Sequence, residues 1–188
     1  MDMELTYIYH SGFALSGDGF TVIMDYYRDS EDGQAQADLN RLMDGTFSNQ
    51  EAGMPEGTVH SELLRRPGKL YVLASHFHPD HFNKEVLQWR EQRPDIIYIF
   101  SKDILRHRRA QKEDAVWLKK GEEYKDETLS VRAFGSTDVG VSFLLQASGK
   151  KIFHAGDLNN WHWMDESTEA ELSLIHISEP TRLALISY

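Results

Sequence analysis

The stretch KLYVLAS (69–75) is a short apolar run with no polar alternation, bounded on its N-terminal side by Pro67-Gly68. Such a run predicts a strand covered on both faces, and so a fold whose sheet is packed from two sides. IIYIF (96–100) is a second run of the same kind. Between them, NKEVLQWREQ (83–92) opens on Asn83, a good helix N-cap, and is limited by Pro94. A short helix is predicted over 102–111. Upstream, LTYIYH and FALSG are separated by Ser11-Gly12, and a Gly17-Asp18-Gly19 turn leads into FTVIMDYY, a pattern of antiparallel strands. From 115 onward strands dominate: AVWL, TLSVRAF, VSFLLQA, a Ser148-Gly149 turn and KIFHAG. The order predicts an α/β protein with helices packed on two mixed sheets.

Residues 28–68 differ from this pattern. They are polar and Gly-rich, with a short helix expected near Ala35–Met43 and turn signals over 53–57. They read as an irregular insertion that lies over a site. At 188 residues the chain suits one domain. No 18-residue apolar run exists, and the N-terminus, MDMELTYIYH, lacks a basic leader segment. These features predict a soluble, cytoplasmic protein with no membrane partner. The absence of cysteine removes disulfides, thiolate zinc sites and cysteine nucleophiles. A net charge of −10 argues against a nucleic-acid partner. The most basic patch, Lys102, Arg106, His107, Arg108, Arg109 and Lys112, reads as a solvated helix face.

The chemistry concentrates directly after KLYVLAS, in Ala-Ser-His-Phe-His-Pro-Asp-His-Phe (74–82). Loops leaving the carboxyl ends of buried strands are where a rigid scaffold holds functional groups. His76 and His78 flank one residue, so in an extended segment both point to the same side and can chelate one ion. Asp80 and His81 follow the Pro79 turn, point elsewhere, and can serve a second ion. Imidazole and carboxylate together suit zinc, iron or manganese.

His76-Phe-His-Pro-Asp-His81 is similar to the HxHxDH signature of the metallo-β-lactamase superfamily. Other stretches agree with that family in order: TVIMDYY with Asp25, and Phe153-His-Ala-Gly-Asp157 at a later strand end. Tyr9-His10-Ser-Gly-Phe13 resembles the opening hairpin of the branch that contains ascorbate-6-phosphate lactonase. The resemblance covers residues 5 to about 165. It implies an αββα sandwich of two mixed sheets and a hydrolase that uses a metal-bound hydroxide on a small ester, lactone or phosphoester. It also implies that His76 and His78 bind a first zinc ion, that Asp80 and His81 bind a second, and that Asp157 bridges them. Manganese or iron are alternatives to zinc. Asp25 would orient a ligating histidine. Asp80, His81 and His162 are the expected catalytic residues, His162 either as the acid for the leaving group or as a substrate contact. The competing reading is a non-catalytic metal-binding or interaction protein on the same fold. A nuclease is disfavoured by the charge.

Two departures from the family pattern matter. A third histidine for the first ion is expected within Phe134-Gly-Ser-Thr-Asp-Val-Gly140, and none is there. Asp138 is the obvious oxygen ligand, with Ser136 or Thr137 as poorer ones, and an open first site or a single-metal enzyme is the alternative. The family's last histidine comes from beyond the Asp157 motif. Here the final stretch, from Leu172 to Tyr188, resembles a translated sequencing adapter. The expectation is therefore a domain over 1–170, incomplete at its C-terminus with an exposed sheet edge, and a non-native tail over 171–188, so that His176 is not counted as a ligand. Among the other histidines, His10 is expected to line the mouth of the site. His154 is either a supporting donor or a core residue. Trp161 and Trp163 either wall the pocket or pack on the helix layer, and His60 and His107 read as ordinary surface residues.

Overall fold

The computed structural model describes residues 3–28, 61–158 and 183–186. The chain divides into two units, one formed by Met1–Ala74 with His78–Tyr98, the other by Ser75–Phe77 with Ile99–Tyr188.

In the first unit the opening strands form as their turns predict. β1 (Glu4–Tyr9), β2 (Gly12–Gly17) and β3 (Phe20–Met24) run antiparallel, in the register Leu5↔Leu15 and Phe13↔Met24. β3 then pairs in parallel with β4 (Lys69–Ala74), from Phe20↔Lys69 to Met24↔Leu73. Every residue of β3 is buried, as is every residue of β4 after Lys69. This is the structural meaning of the missing polar alternation: both faces of these strands are covered. Val22, Ile23, Met24, Leu70, Tyr71 and Leu73 form the centre of the buried set. The ladder continues one step past β3, where the Asp25 amide donates to the Leu73 carbonyl at 3.0 Å. Asp25 is thereby fixed to the end of β4.

The segment after Asn83 is a helix, but of the 3-10 type, over Lys84–Glu91. Asn83 caps it as expected, its side chain accepting from the Glu85 amide at 2.9 Å. Its buried residues, Val86 and Trp89, are three positions apart, the spacing that a three-residue turn stacks on one face. Part of the presumed irregular insertion is also helical. α1 covers Ser61–Arg65, and Leu63 and Leu64 are buried. Arg93 ties this region down by donating to the carbonyls of Leu64, Arg66 and Gly68. The helix expected over 35–43 lies outside the described residues.

The second unit receives the chain within β5 (Ile97–Ser101), which pairs in parallel with β6 (Val116–Leu118). Between them lies α2 (Lys102–Arg106), shorter than the expected 102–111. It stops because Arg108 adopts a left-handed conformation, φ 56°. A 3-10 turn over Lys112–Asp114 follows. Next come β7 (Glu123–Lys125), β8 (Ser130–Gly135), β9 (Val141–Ala147) and β10 (Lys150–His154), each antiparallel to the one before it. β11 (Leu183–Ile186) adds in parallel to β10, in the register Lys151↔Leu183. Part of the tail read as non-native thus occupies the β10 edge. Strand order is β1-β2-β3-β4-β5-β6 in one sheet and β11-β10-β9-β8-β7 in the other, so both sheets are mixed. Among the described residues no helix is long and apolar enough to cross a membrane.

Gly68 is a point of close approach in the first unit. Its φ is 97°, and a Cβ there would lie 2.1 Å from the Gly19 carbonyl oxygen, which accepts from the Lys69 amide at 2.9 Å. Gly68→Ala combines a left-handed penalty with a backbone clash, and should destabilise the chain by more than about 2 kcal/mol in urea unfolding.

Candidate metal centre

Immediately after β4 the chain enters the second unit with Ser75 and His76, both completely buried. The Ser75 carbonyl accepts from the Val141 amide at 3.0 Å, which fastens this segment to the start of β9. Gly140 makes the approach possible. A Cβ at Gly140 would stand 2.2 Å from the Ser75 carbonyl oxygen and 2.5 Å from the His76 Cβ, and its φ of 76° suits glycine. Ser75 Oγ lies 3.0 Å from His76 Nδ1, so the other ring nitrogen, Nε2, is the one turned toward Asp157.

His76 Nε2 and Asp157 Oδ2 are 3.5 Å apart, longer than an ordinary hydrogen bond. Two atoms bound tetrahedrally to one ion at zinc distances stand about 3.4 Å apart. Asp157 is held by its turn, in which the Leu158 amide donates to the Ala155 carbonyl at 3.1 Å. Within the second unit Asp138 joins His76 and Asp157, one ligand atom from each lying within 4.8 Å of the others; His78 follows His76 by two positions along the chain. The absence of a histidine in the 134–140 segment is therefore matched by a carboxylate in the group. Two imidazoles and two carboxylates form a donor set that zinc, iron or manganese accepts. The residues fit a bound ion.

Asp80 and His81 are placed by contacts within the first unit. The turn after Pro79 is tight: the amides of His81 and Phe82 donate to the His78 carbonyl at 3.0 and 2.9 Å. His81 is 2% exposed and engaged on both ring nitrogens. Its Nδ1 is 2.8 Å from Asp25 Oδ2, and its Nε2 is 3.2 Å from Ser11 Oγ. Asp25 is thus on His81, the arrangement in which a carboxylate fixes tautomer and ring orientation. Asp80 Oδ2 lies 3.6 Å from His81 Nε2 and 4.0 Å from His10 Nδ1, and His10 Nδ1 is 2.8 Å from Ser11 Oγ. Both residues that reach into this cluster from strand ends, His10 and Asp25, have left-handed backbones, φ 52° and 46°. Non-glycine residues in that region are strained, and such strain gathers at functional sites.

Ser11, His81 and Asp25 carry the atom order of a serine-hydrolase triad. Ser11 is only 1% exposed, however, so its hydroxyl cannot meet a substrate and serves to hold the histidine. Sequence reasoning did not single out Ser11. Its partner His81 is 70 positions away, and the only signal was its place beside His10. His154 ends β10 and is 2% exposed. His107 lies on the surface as expected, and its ring stacks on Phe77, centroids 3.7 Å apart. His60, Trp161, His162, Trp163 and His176 lie outside the described residues.

A family model described as a beta-lactamase superfamily domain matches residues 4–177. No curated protein sequence matches the chain. Among solved structures, a metallo hydrolase from the archaeon Ignicoccus hospitalis is 17% identical with a TM-score of 0.53, covering 82% of this chain and 61% of its own. CmlA, a diiron β-hydroxylase from Streptomyces venezuelae, is 16% identical with a TM-score of 0.51, covering 82% of this chain and 29% of its own. A motif mutant of a metallo-beta-lactamase from Cronobacter sakazakii is 13% identical with a TM-score of 0.57, covering 97% of this chain and 75% of its own. The first of these structures is thus spanned over less than two thirds of its length, and the hydroxylase over less than one third. At these identities the likeness concerns the fold. The chain belongs to the metallo-β-lactamase superfamily, and its two mixed sheets are built on that superfamily's fold.

Proposed function

We propose that the chain is a metal-dependent hydrolase that acts on a small ester, lactone or phosphoester. The observation that carries this reading is the convergence of His76, Asp138 and Asp157 within the second unit, with His76 Nε2 and Asp157 Oδ2 at 3.5 Å. The metallo hydrolase from Ignicoccus hospitalis, one of the structural neighbours, supports it. The lactonase-like opening, Tyr9-His10-Ser-Gly-Phe13, is the reason to place small esters and phosphoesters first.

In this reading His76, His78, Asp138 and Asp157 hold a first ion, and Asp80 and His81 hold a second. The bridging role of Asp157 rests on the family resemblance. Bound ions of this kind supply a water-derived nucleophile near neutral pH and polarise the bond under attack. The chain's own residues do the rest. Ser75 keeps His76 Nε2 facing the ligand side, and Asp25 keeps the His81 ring in one tautomer and one orientation. His162 is proposed to protonate the leaving group. Zinc is the first expectation for the metal, and the carboxylate at 138 makes the site harder and favours manganese or iron more than a third histidine would.

A second reading follows from the donor set itself. Two imidazoles and two carboxylates also serve iron in oxidative chemistry, and one structural neighbour is a diiron hydroxylase. It ranks below hydrolysis because the lactonase-like opening, Tyr9-His10-Ser-Gly-Phe13, favours hydrolysis, whereas both neighbours share only the fold.

Metal content after dialysis and turnover of nitrophenyl esters, a lactone panel and bis-nitrophenyl phosphate test the proposal. Chelation should abolish hydrolysis, and added zinc or manganese should restore it. His76→Ala and Asp157→Ala should each weaken metal binding by about 100-fold or more, with a matching loss of turnover. Stoichiometric metal with no turnover on any of these substrates would instead favour a binding protein. Asp25→Asn should lower affinity for the ion at His81 by about 10-fold while the His76 ion is retained. Titration with cobalt, read from its visible spectrum, separates the two.

A further inference from the structure

We propose that Asp103 and His107 are positioning residues that clamp the residue between His76 and His78, and so set how tightly these histidines hold an ion; this rests on the metal-centre reading above. The clamped residue is Phe77. Its backbone N–H donates to Asp103 Oδ2 at 3.0 Å, and its ring lies on the His107 imidazole with planes 13° apart and centroids 3.7 Å apart.

Both clamping groups come from one short element. Asp103 lies in the first turn of α2, and His107 is its C-cap, with its amide bonded to the Asp103 carbonyl at 2.8 Å. Ile104, between them, is completely buried and anchors the element. The helix then closes abruptly, with the Arg108 amide on the Leu105 carbonyl and the Arg109 amide on the Ile104 carbonyl, both at 3.0 Å. This is the paired closure in which the residue after the cap takes a left-handed backbone, a place where glycine is preferred. Here it is Arg108, at φ 56°. A strained closure at this point fixes the backbone of the residue before it, and that residue is His107. Asp103 carries a cost of its own: its second carboxylate oxygen is buried without a hydrogen-bond partner. An oxygen left in that condition destabilises the fold.

The physical consequence is preorganisation. In a His-x-His chelate the two rings are aimed by the backbone of the residue between them. Holding Phe77 by its amide and by its ring removes that residue's freedom on folding, before an ion arrives, so less ordering remains to oppose binding. Neither Asp103 nor His107 needs to touch the ion.

The test is zinc affinity of the full chain, measured by competition with a chromophoric chelator. Asp103→Ala should weaken binding by about 10-fold, as loss of a ligand-supporting partner does. Asp103→Asn keeps an acceptor oxygen for the Phe77 amide and should restore affinity close to that of the unmodified chain. His107→Ala, at an exposed position that folding tolerates, should weaken binding, and His107→Phe should restore it through stacking. In the metal-free protein, Asp103→Ala should speed hydrogen exchange at the Phe77 amide. Unchanged affinity in Asp103→Ala and His107→Ala overturns the proposal, as does a loss in Asp103→Asn equal to that in Asp103→Ala. If the unmodified chain takes no zinc, the metal-centre reading fails. The Phe77 exchange rate then still decides whether Asp103 holds this segment.

Discussion

A histidine ring buried as completely as His76 depends on groups the protein itself brings to it for its orientation. Ser75 meets one ring nitrogen, and the other looks toward Asp157. Much of the second unit follows from that constraint. Gly140 is where it is because only a residue without a side chain lets the backbone come so near the His76 Cβ. The first amide of β9 is committed to the Ser75 carbonyl, and β10 runs antiparallel to β9 and delivers Asp157 just beyond its end. The sheet is a frame for one imidazole.

The first unit solves a similar problem at His81 by different means. There the ring is held from both sides by side chains, Asp25 and Ser11, and each comes from the end of a strand next to a left-handed residue or from one itself. A carboxylate fully buried, as Asp25 is, is stable only when its charge has a committed partner. The imidazole is that partner, and the parallel ladder of β3 and β4 holds the carboxylate in reach of it.

What could be read in the sequence was what depends on neighbours along the chain. The buried strands announced themselves because residues covered on both faces must all be apolar, as in β3 and β4. The cluster at 76–81 stood out because two histidines separated by one residue leave a spacing in the sequence. Asp138 stood out as a carboxylate where a histidine was expected, and the structure brings it beside His76 and Asp157. The remainder was illegible for physical reasons. β7 is a polar three-residue edge strand, Glu123–Lys125, with no apolar period to reveal it. Ser11 and Asp103 act across 70 and 26 positions, and a serine or aspartate in a polar stretch carries no mark of such a bond. The helix over 102–111 is shorter than expected because nothing in the identity of Arg108 signals the left-handed turn that the closing bonds of the Arg108 and Arg109 amides to the Leu105 and Ile104 carbonyls require.

The parallel pairing of β3 with β4 also has a kinetic side. β3 ends at Met24 and β4 begins at Lys69, so the central ladder forms only once a loop of more than forty residues has closed. Closure entropy grows slowly with length, about 0.6 kcal/mol for each doubling, so native stability is nearly indifferent to how long that loop is. The folding rate is not, because the loop must close before any of the buried ladder rewards it. Lengthening this connection would leave the finished protein almost as stable while prolonging the interval in which its most apolar strands remain unpaired. Evolution is thus free to vary the segment for function, within a limit set by aggregation during folding rather than by the folded state.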